Sequence, residues 1–193
     1  MGLFDQFFGK KKPQKEAEKS KFLPEKKEAT EIVFARNFIE RGGKFIYSEN
    51  TDTTSTYFHQ ILAENDWSVN EIQSNSSVLS SFFKIPNTTS EPKALVLHCE
   101  YLIANKGAIL ICNRQIQEMK LKDLPQNLII IARSNDFKND VSEAMTAINQ
   151  KYKNNLPSNI TTLNAHNPTK ENDFLSYGGS AKHLYLLVQE VNS

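Results

Sequence analysis

Apolar residues in the chain beyond residue 27 recur at two spacings, one typical of helices and one typical of strands. In four segments they recur three or four positions apart, which predicts four amphipathic helices. These segments contain Phe34, Ala35, Phe38 and Ile39; Phe58, Ile61 and Leu62; residues 78–83; and Val141, Ala144, Met145, Ile148 and Tyr152.

Other segments are short and rich in aliphatic residues, which predicts strands. They are residues 44–47, 69–72, 94–103, 107–112, 128–132, 160–163 and 184–188. The link 104–106 is too short for a crossover helix, so the strands on either side of it should pair antiparallel. The continuous apolar run 128–132 is typical of a strand covered on both faces. Helices alternating with such strands predict an open three-layer α/β domain with a mostly parallel or mixed sheet.

The charge balance argues against a general nucleic-acid-binding protein. The 193 residues carry 23 Lys and Arg against 22 Asp and Glu, a net charge of +1, whereas such proteins have a strong basic excess. No apolar run is long enough to span a membrane and no secretory signal is present, so we expect a cytoplasmic protein. Two cysteines and four scattered histidines predict no bound metal and no cofactor.

Residues 1–27 differ in composition from the rest of the chain. Between residues 10 and 27 there are eight Lys and three Glu, and the charge and two prolines predict a solvated linker. Leu3, Phe4, Phe7 and Phe8 form an apolar stripe before it. We therefore divide the chain into an aromatic turn with a Lys-rich linker (1–27) and a single domain (28–193). The first part could contact a partner or, weakly, an anionic membrane surface, or it could fold back on its own domain.

A first candidate for chemistry is the sequence His98-Cys99-Glu100. On one strand, His98 and Glu100 would share a face and could act as acid and base. The alternative is a half-buried polar pair with Cys99 in the core. The general motifs of nucleotide hydrolases, serine hydrolases and zinc proteases are absent, and we assign no catalytic residue.

Polar loops form a second candidate, since ligands of open α/β sheets gather beyond the carboxyl ends of strands. Residues 164–170 follow a predicted strand, and glycines with a lysine in 177–182 could bind an anion through backbone N–H groups. Ordinary surface turns are the alternative for both. If a small anionic ligand binds, the predicted residues are Gly107, Arg114, His166, Asn167, Gly178, Gly179 and Lys182.

From about residue 94 to residue 191 the chain resembles the LUD-domain family, which is named for lactate utilization. Residues 100–110 (Glu-Tyr-Leu-Ile-Ala-Asn-Lys-Gly-Ala-Ile-Leu) are similar to the family segment that ends in Ala-Glu-Thr-Gly-Thr and a strand. Residues 122–130 resemble its Leu-Pro step into a hydrophobic strand, 139–148 its amphipathic helix and 182–188 its closing strand.

The resemblance implies the open α/β fold of ribose-5-phosphate isomerases and CoA transferases. It also implies a place in lactate or related organic-acid utilization, as an accessory subunit beside an iron–sulfur oxidase. The polar family motifs are largely replaced. Gly107-Ala108 stands for Gly-Thr, residues 164–174 lack the arginine of Gly-Pro-Ser-Arg-Thr-Ala-Asp-Ile-Glu, and 177–181 lack the His and Pro of Gly-Val-His-Gly-Pro.

These observations leave three hypotheses open. The leading one is a divergent LUD-domain protein that acts as an accessory or anionic-ligand-binding component without catalysis of its own. The second is a non-catalytic interaction protein tethered through residues 1–27. The third is a CoA- or acyl-transfer enzyme with Glu100 as nucleophile or base.

Overall fold

Nine strands and five helices make up the part of the chain, residues 28–165 and 182–191, that the computed structural model describes. The strands are β1 (Lys44–Ser48), β2 (Ile72–Ser74), β3 (Ala94–His98), β4 (Tyr101–Ile103), β5 (Ala108–Ile111), β6 (Asn127–Arg133), β7 (Phe137–Lys138), β8 (Thr161–Leu163) and β9 (His183–Gln189). The helices are α1 (Thr30–Glu40), α2 (Thr51–Glu64), α3 (Ser77–Phe83), α4 (Asn113–Ile116) and α5 (Val141–Tyr152).

Five parallel strands form the main sheet in the order β1-β9-β6-β3-β2. The apolar runs of β6 and β9 lie inside this sheet and are buried on both faces, as their composition predicts. Each of these two strands pairs with a parallel strand along both of its edges. Where they pair with each other, Ile129 of β6 lies beside Tyr185 of β9. The α/β fold with a mostly parallel sheet is confirmed.

A second, mixed sheet has the order β7-β4-β5-β8. Strands β4 and β5 pair antiparallel, with Leu102 opposite Ile109, which confirms the prediction from the short link between them. The prediction of one strand over 94–103 is wrong, because the chain leaves the main sheet after His98 and enters the second sheet at Tyr101. Both halves are buried, so the apolar pattern does not mark the break.

The two faces of the main sheet are covered differently. Helices α2 and α3 cover one face with Phe58, Ile61, Leu62, Leu79 and Phe83. The other face packs against α1 and the second sheet through residues such as Phe34, Phe38, Leu102, Ile109 and Ile111. Helix α5 then covers the outer side of the second sheet, where Ala144 and Ile148 meet Ile103 and Leu110. The second sheet thus replaces a helical layer on this face.

Side-chain caps explain where the helices begin. The Asn50 carboxamide oxygen accepts the Thr53 N–H at 2.9 Å before α2, and the Asp140 carboxylate accepts the Glu143 N–H at 2.9 Å before α5. Ser68 caps a 3₁₀ turn over Val69–Glu71. The predicted strand at 69–72 is therefore wrong except at its last residue, where β2 begins.

One predicted core position lies on the surface. Ile39 of α1 is 52% exposed, although its spacing placed it with Phe34 and Phe38. No helix in the described ranges is long and apolar enough to cross a bilayer.

Candidate functional site

A buried carboxylate lies where the chain passes from the main sheet to the second sheet. Glu100 lies two residues after the end of β3 and directly before β4, at the carboxyl edge of the main sheet, and is 2% exposed. Its backbone N–H donates to the Leu110 carbonyl at 2.8 Å. This bond fixes the residue at the end of the β4–β5 pair.

Four side chains donate hydrogen bonds to this carboxylate. The Gln115 amide of α4 lies 2.7 Å from Oε1, and the Lys151 ammonium of α5 lies 3.0 Å from Oε2. The Tyr152 hydroxyl lies 2.9 and 3.0 Å from the two oxygens, and the Cys112 thiol lies 3.4 Å from Oε1. A buried carboxylate needs such partners to offset the loss of hydration.

The partners also set the protonation states. Burial by itself raises the pKa of Glu100, but the hydrogen bonds from Gln115, Lys151 and Tyr152 outweigh it, so the pKa falls below the ordinary value of 4.5. Burial alone would lower the pKa of Lys151. The contacts with Tyr152 and Glu100 have a larger, opposite effect, so the pKa of Lys151 lies above its ordinary value. Burial and the nearby Glu100 raise the pKa of Cys112 to about 11. Glu100 and Lys151 form an ion pair at neutral pH, and Cys112 is a thiol.

A second carboxylate, that of Asp136, lies on the turn after β6. Burial raises its pKa above the ordinary value of 3.8, while the Arg133 N–H, 2.7 Å from Oδ2, and the charges of Arg133, Lys151 and His98 act to lower it. Lys151 therefore experiences the fields of two carboxylates, one in direct contact and one nearby.

Arg114 lies on the solvent side of this network. Its guanidinium carbon is 4.4 Å from the centre of the Tyr152 ring, and the Lys151 Nζ is 4.9 Å from the same centre. One guanidinium N–H donates to the Asn155 carbonyl at 3.2 Å. Stacking and this bond orient the guanidinium, whose remaining donors suit a carboxylate or phosphate. We call Glu100, Gln115, Lys151, Tyr152 and Arg114 the Glu100 site.

This arrangement suits binding better than covalent chemistry. Both Glu100 oxygens accept hydrogen bonds and the side chain is 1% exposed, so an attack on a carbonyl would require the network to open. His98 and Glu100 do not form the acid–base pair considered from the sequence. The His98 Nδ1 lies 3.2 Å from the Ile131 carbonyl, whereas Glu100 faces α4 and α5.

The structure does not bring the three described ligand-binding candidates together. Arg114 belongs to the Glu100 site. Gly107 precedes β5, at the opposite end of that strand, and a Cβ there would lie 2.5 Å from backbone atoms of Asn37 and Phe38. Lys182 is 3% exposed at the amino edge of the main sheet, where its ammonium donates to the Leu124 carbonyl at 2.7 Å.

The other four candidates, His166, Asn167, Gly178 and Gly179, lie outside the described residues. Their ligand-binding roles stay predictions, as does the division of the chain at residue 27.

A concave region with a volume of about 310 Å³ lies between the first turns of α1 and α5, beside Ala104 and Asn105. The Thr30 hydroxyl donates to the Asn139 carboxamide oxygen at 3.0 Å, and the Asn139 amide donates to Glu143 at 2.8 Å. These bonds hold the two helix starts together.

Sequence reasoning missed Gln115, Lys151 and Tyr152 as partners of Glu100. The apolar spacing places Tyr152 on the apolar face of α5, and nothing in the sequence links it to a residue 52 positions away. The one sequence signal for these partners is Glu100 itself, which lies between two runs of apolar residues. A carboxylate in such a stretch is expected to be buried, and a buried charge requires polar partners.

The chain belongs to the LUD-domain family, because the family model matches residues 91–188. The matched range contains Glu100, Gln115, Lys151 and Tyr152. The resemblance noted in the sequence is thereby confirmed, and with it the association with lactate utilization that the family name expresses.

Among solved structures, the fold is similar to that of a DUF162 family protein from Deinococcus radiodurans, with a TM-score of 0.59 and 15% sequence identity. The match covers 83% of this chain and 96% of that one. It supports the fold. A search of curated proteins found no match to the chain.

Proposed function

We propose that this protein is a binding component for a small anionic organic acid, and that it performs no catalysis of its own. In this role it serves as an accessory protein in lactate or related organic-acid utilization. The family supports the metabolic setting, and the Glu100 site supports the ligand class.

One observation carries the proposal: Arg114 and Lys151 both lie within 5 Å of the Tyr152 ring centre, beside a carboxylate that is closed to solvent. Lys151 keeps 49% of its side-chain surface exposed while it pairs with Glu100. An anion from solvent can therefore reach two oriented cations at the carboxyl edge of the sheet, which is where ligands of such sheets bind.

The burial of Glu100 favours binding over CoA or acyl transfer. A nucleophilic carboxylate must reach the substrate carbonyl with a free oxygen lone pair. Here four donors occupy the carboxylate, and its lowered pKa marks a stabilised anion, which is a weaker nucleophile. Placement of the protein beside an iron–sulfur oxidase is part of the proposal and rests on the family alone.

Thermal-shift and NMR titrations with carboxylates and sugar phosphates test the proposal. At ten times its Kd a ligand adds about 1.4 kcal/mol to the free energy of unfolding, which raises Tm by roughly 3–5 °C in a domain of this size. Arg114→Gln should weaken binding at least tenfold, since a charge-assisted hydrogen bond contributes about 1.5–3 kcal/mol.

Arg41→Gln is the matched control. Arg41 is an exposed arginine that follows α1, so its replacement should leave affinity unchanged. If no tested anion shifts Tm or any amide signal at tens of millimolar, or if both arginine variants bind as the wild type does, the proposal is wrong.

A further inference from the structure

Helix α4 carries Arg114 but is too short to hold its own position. It contains four residues, Asn113–Ile116, and a single helical turn is unstable without tertiary contacts. Arg114 and Gln115 are neighbours on this turn and so point in different directions. The Arg114 guanidinium lies over the Tyr152 ring on the exposed side, whereas the Gln115 amide reaches Glu100 in the interior. The placement of Arg114 therefore depends on what holds α4.

Both polar atoms of the Gln115 side chain make hydrogen bonds. Its carboxamide oxygen accepts the Cys112 backbone N–H at 2.9 Å and the Cys112 thiol at 3.1 Å, which caps α4. Its NH₂ group donates to Glu100 Oε1 at 2.7 Å. The Tyr152 hydroxyl donates to the same carboxylate at 2.9 and 3.0 Å. Glu100 thus joins the residue that holds α4 to the ring on which Arg114 stacks.

We propose that Gln115 is the positioning residue of the anion site. It acts through Arg114 rather than on the ligand, because its bond to Glu100 sets the guanidinium over the Tyr152 ring and beside Lys151. Without that bond, a ligand has to order α4 as it binds, and this ordering lowers its affinity. The inference rests on the proposed function for its ligand, but the position of Arg114 can be measured without one.

Charge and position predict opposite effects for Glu100→Gln. The replacement removes a negative charge beside the site, so a purely electrostatic role of Glu100 predicts tighter binding of an anion. The new amide also places a donor against the Gln115 NH₂ group or the Lys151 ammonium, which breaks the bond that holds α4. Positioning therefore predicts weaker binding, although the site has become more positive.

An exchange of the two side chains restores the pairing. In the double variant Glu100→Gln/Gln115→Glu, the amide at position 100 can donate to the carboxylate at position 115, and its oxygen can accept from Lys151 and Tyr152. The carboxylate can also accept both donors of Cys112. Every donor of the site then has an acceptor, and the net charge equals that of the wild type. Gln115→Glu alone instead places two carboxylates together, which their like charges disfavour.

Two NMR measurements test the proposal. Titration with propionate, a simple carboxylate probe, gives the affinity, and the side-chain signals of Arg114 report its position, because the ring current of Tyr152 shifts them upfield. Arg114→Gln assigns these signals by their loss. We expect Gln115→Met, which keeps the net charge but has no amide, and Glu100→Gln to lose the upfield shift and to bind propionate at least about fivefold more weakly. The double variant should recover the upfield shift and an affinity within about twofold of the wild type.

The control separates positioning from a general loss of stability. Gln60 is exposed on α2, which covers the face of the main sheet opposite to the second sheet, so Gln60→Met should change neither measurement. All titrations are made well below Tm, where circular dichroism shows each variant to be folded, so lower stability alone moves neither the affinity nor the Arg114 signals. If Gln115→Met does not fold, Gln115→Asn takes its place, because its side chain is one methylene too short to reach both Cys112 and Glu100.

The outcomes are distinct. If Gln115→Met changes the two measurements no more than Gln60→Met does, the inference is wrong and the proposed function stands. The inference is also wrong if Glu100→Gln binds propionate more tightly than the wild type, or if the double variant recovers neither measurement. If wild-type protein binds no propionate at tens of millimolar, the result counts against the proposed function, and the Arg114 signals alone decide the inference.

Discussion

Replacement of Glu100 by glutamine tests whether the buried carboxylate organises the site. Glutamine has the same shape, but one oxygen becomes an NH₂ group. That group must face either the Gln115 amide or the Lys151 ammonium, both of which are donors. Glu100→Gln therefore places two donors against each other whichever way the amide is turned.

The magnitude follows from the contacts that are lost. A hydrogen bond to a charged group contributes about 1.5–3 kcal/mol to the free energy of unfolding. Lys151 is half-exposed, so solvent screening reduces the contribution of its contact with Glu100. Glu100→Gln also removes the free-energy cost of burying a charge, and this gain partly offsets the loss of the hydrogen bonds. We expect Glu100→Gln to lower the free energy of unfolding by about 1–2 kcal/mol at pH 7, or Tm by roughly 3–6 °C.

The pH dependence has a definite sign. The pKa of Glu100 in the folded protein lies below its ordinary value of 4.5, so its stabilising contribution is complete above that value and is lost as pH falls through the folded-state pKa. Glutamine does not titrate. The difference in stability between wild type and Glu100→Gln should thus be constant near neutrality and shrink as pH falls below 4.5.

Urea unfolding followed by circular dichroism, at a series of pH values between neutrality and acid, measures this difference. A Glu100→Gln variant as stable as the wild type at pH 7 would show that the hydrogen bonds from the four donor side chains do not offset the burial of the charge. A difference that persists unchanged into acid would show that ionisation is not its source.

Three further predictions concern residues singled out from the sequence. Gly107→Ala should destabilise the protein by about 1–3 kcal/mol more than Gly42→Ala, because both glycines have positive φ but only Gly107 is packed against backbone atoms of α1; equal urea midpoints would contradict this. Lys182→Met should leave propionate affinity within about twofold of wild type, since distant sites act independently, and an NMR titration that shows a larger loss would return Lys182 to the ligand site. Deletion of residues 1–27 should reduce sedimentation with anionic vesicles but not with neutral ones, because Lys near an anionic surface contributes about 1 kcal/mol each, and unchanged sedimentation would remove the membrane-surface hypothesis.

The fold could be predicted largely from local patterns. The apolar runs of β6 and β9 and the helical spacing of α2 and α5 identify these elements, because a strand buried on both faces and an amphipathic helix each leave a distinct periodicity. The antiparallel β4–β5 pair followed from a link too short to cross over. The passage between sheets at residues 99–100 could not be predicted, since the strands before and after it are equally apolar.

The site was harder to predict because its members are far apart in the chain. The chemistry of arginine makes Arg114 a candidate ligand-binding residue from the sequence alone, and Glu100 is a candidate acid or base. Their connection depends on how the end of α5 packs beside the β4–β5 pair, which brings Lys151 and Tyr152 to Glu100. Spacing along one chain carries no information on such a contact, whereas it does describe the face of a single helix.

The crossing of the chain from one sheet to the other has a consequence for how the protein opens. The donors that hold Glu100 come from Cys112 and α4 and from the last turn of α5, up to 52 residues away. Partial detachment of α5 would remove both Lys151 and Tyr152 while the main sheet stays intact, since local openings require less free energy than global unfolding. Affinity for the proposed anionic ligand should therefore be lost at a lower denaturant concentration than the one that unfolds the parallel sheet. The contacts of the buried carboxylate thus depend on whether α5 is docked against the second sheet.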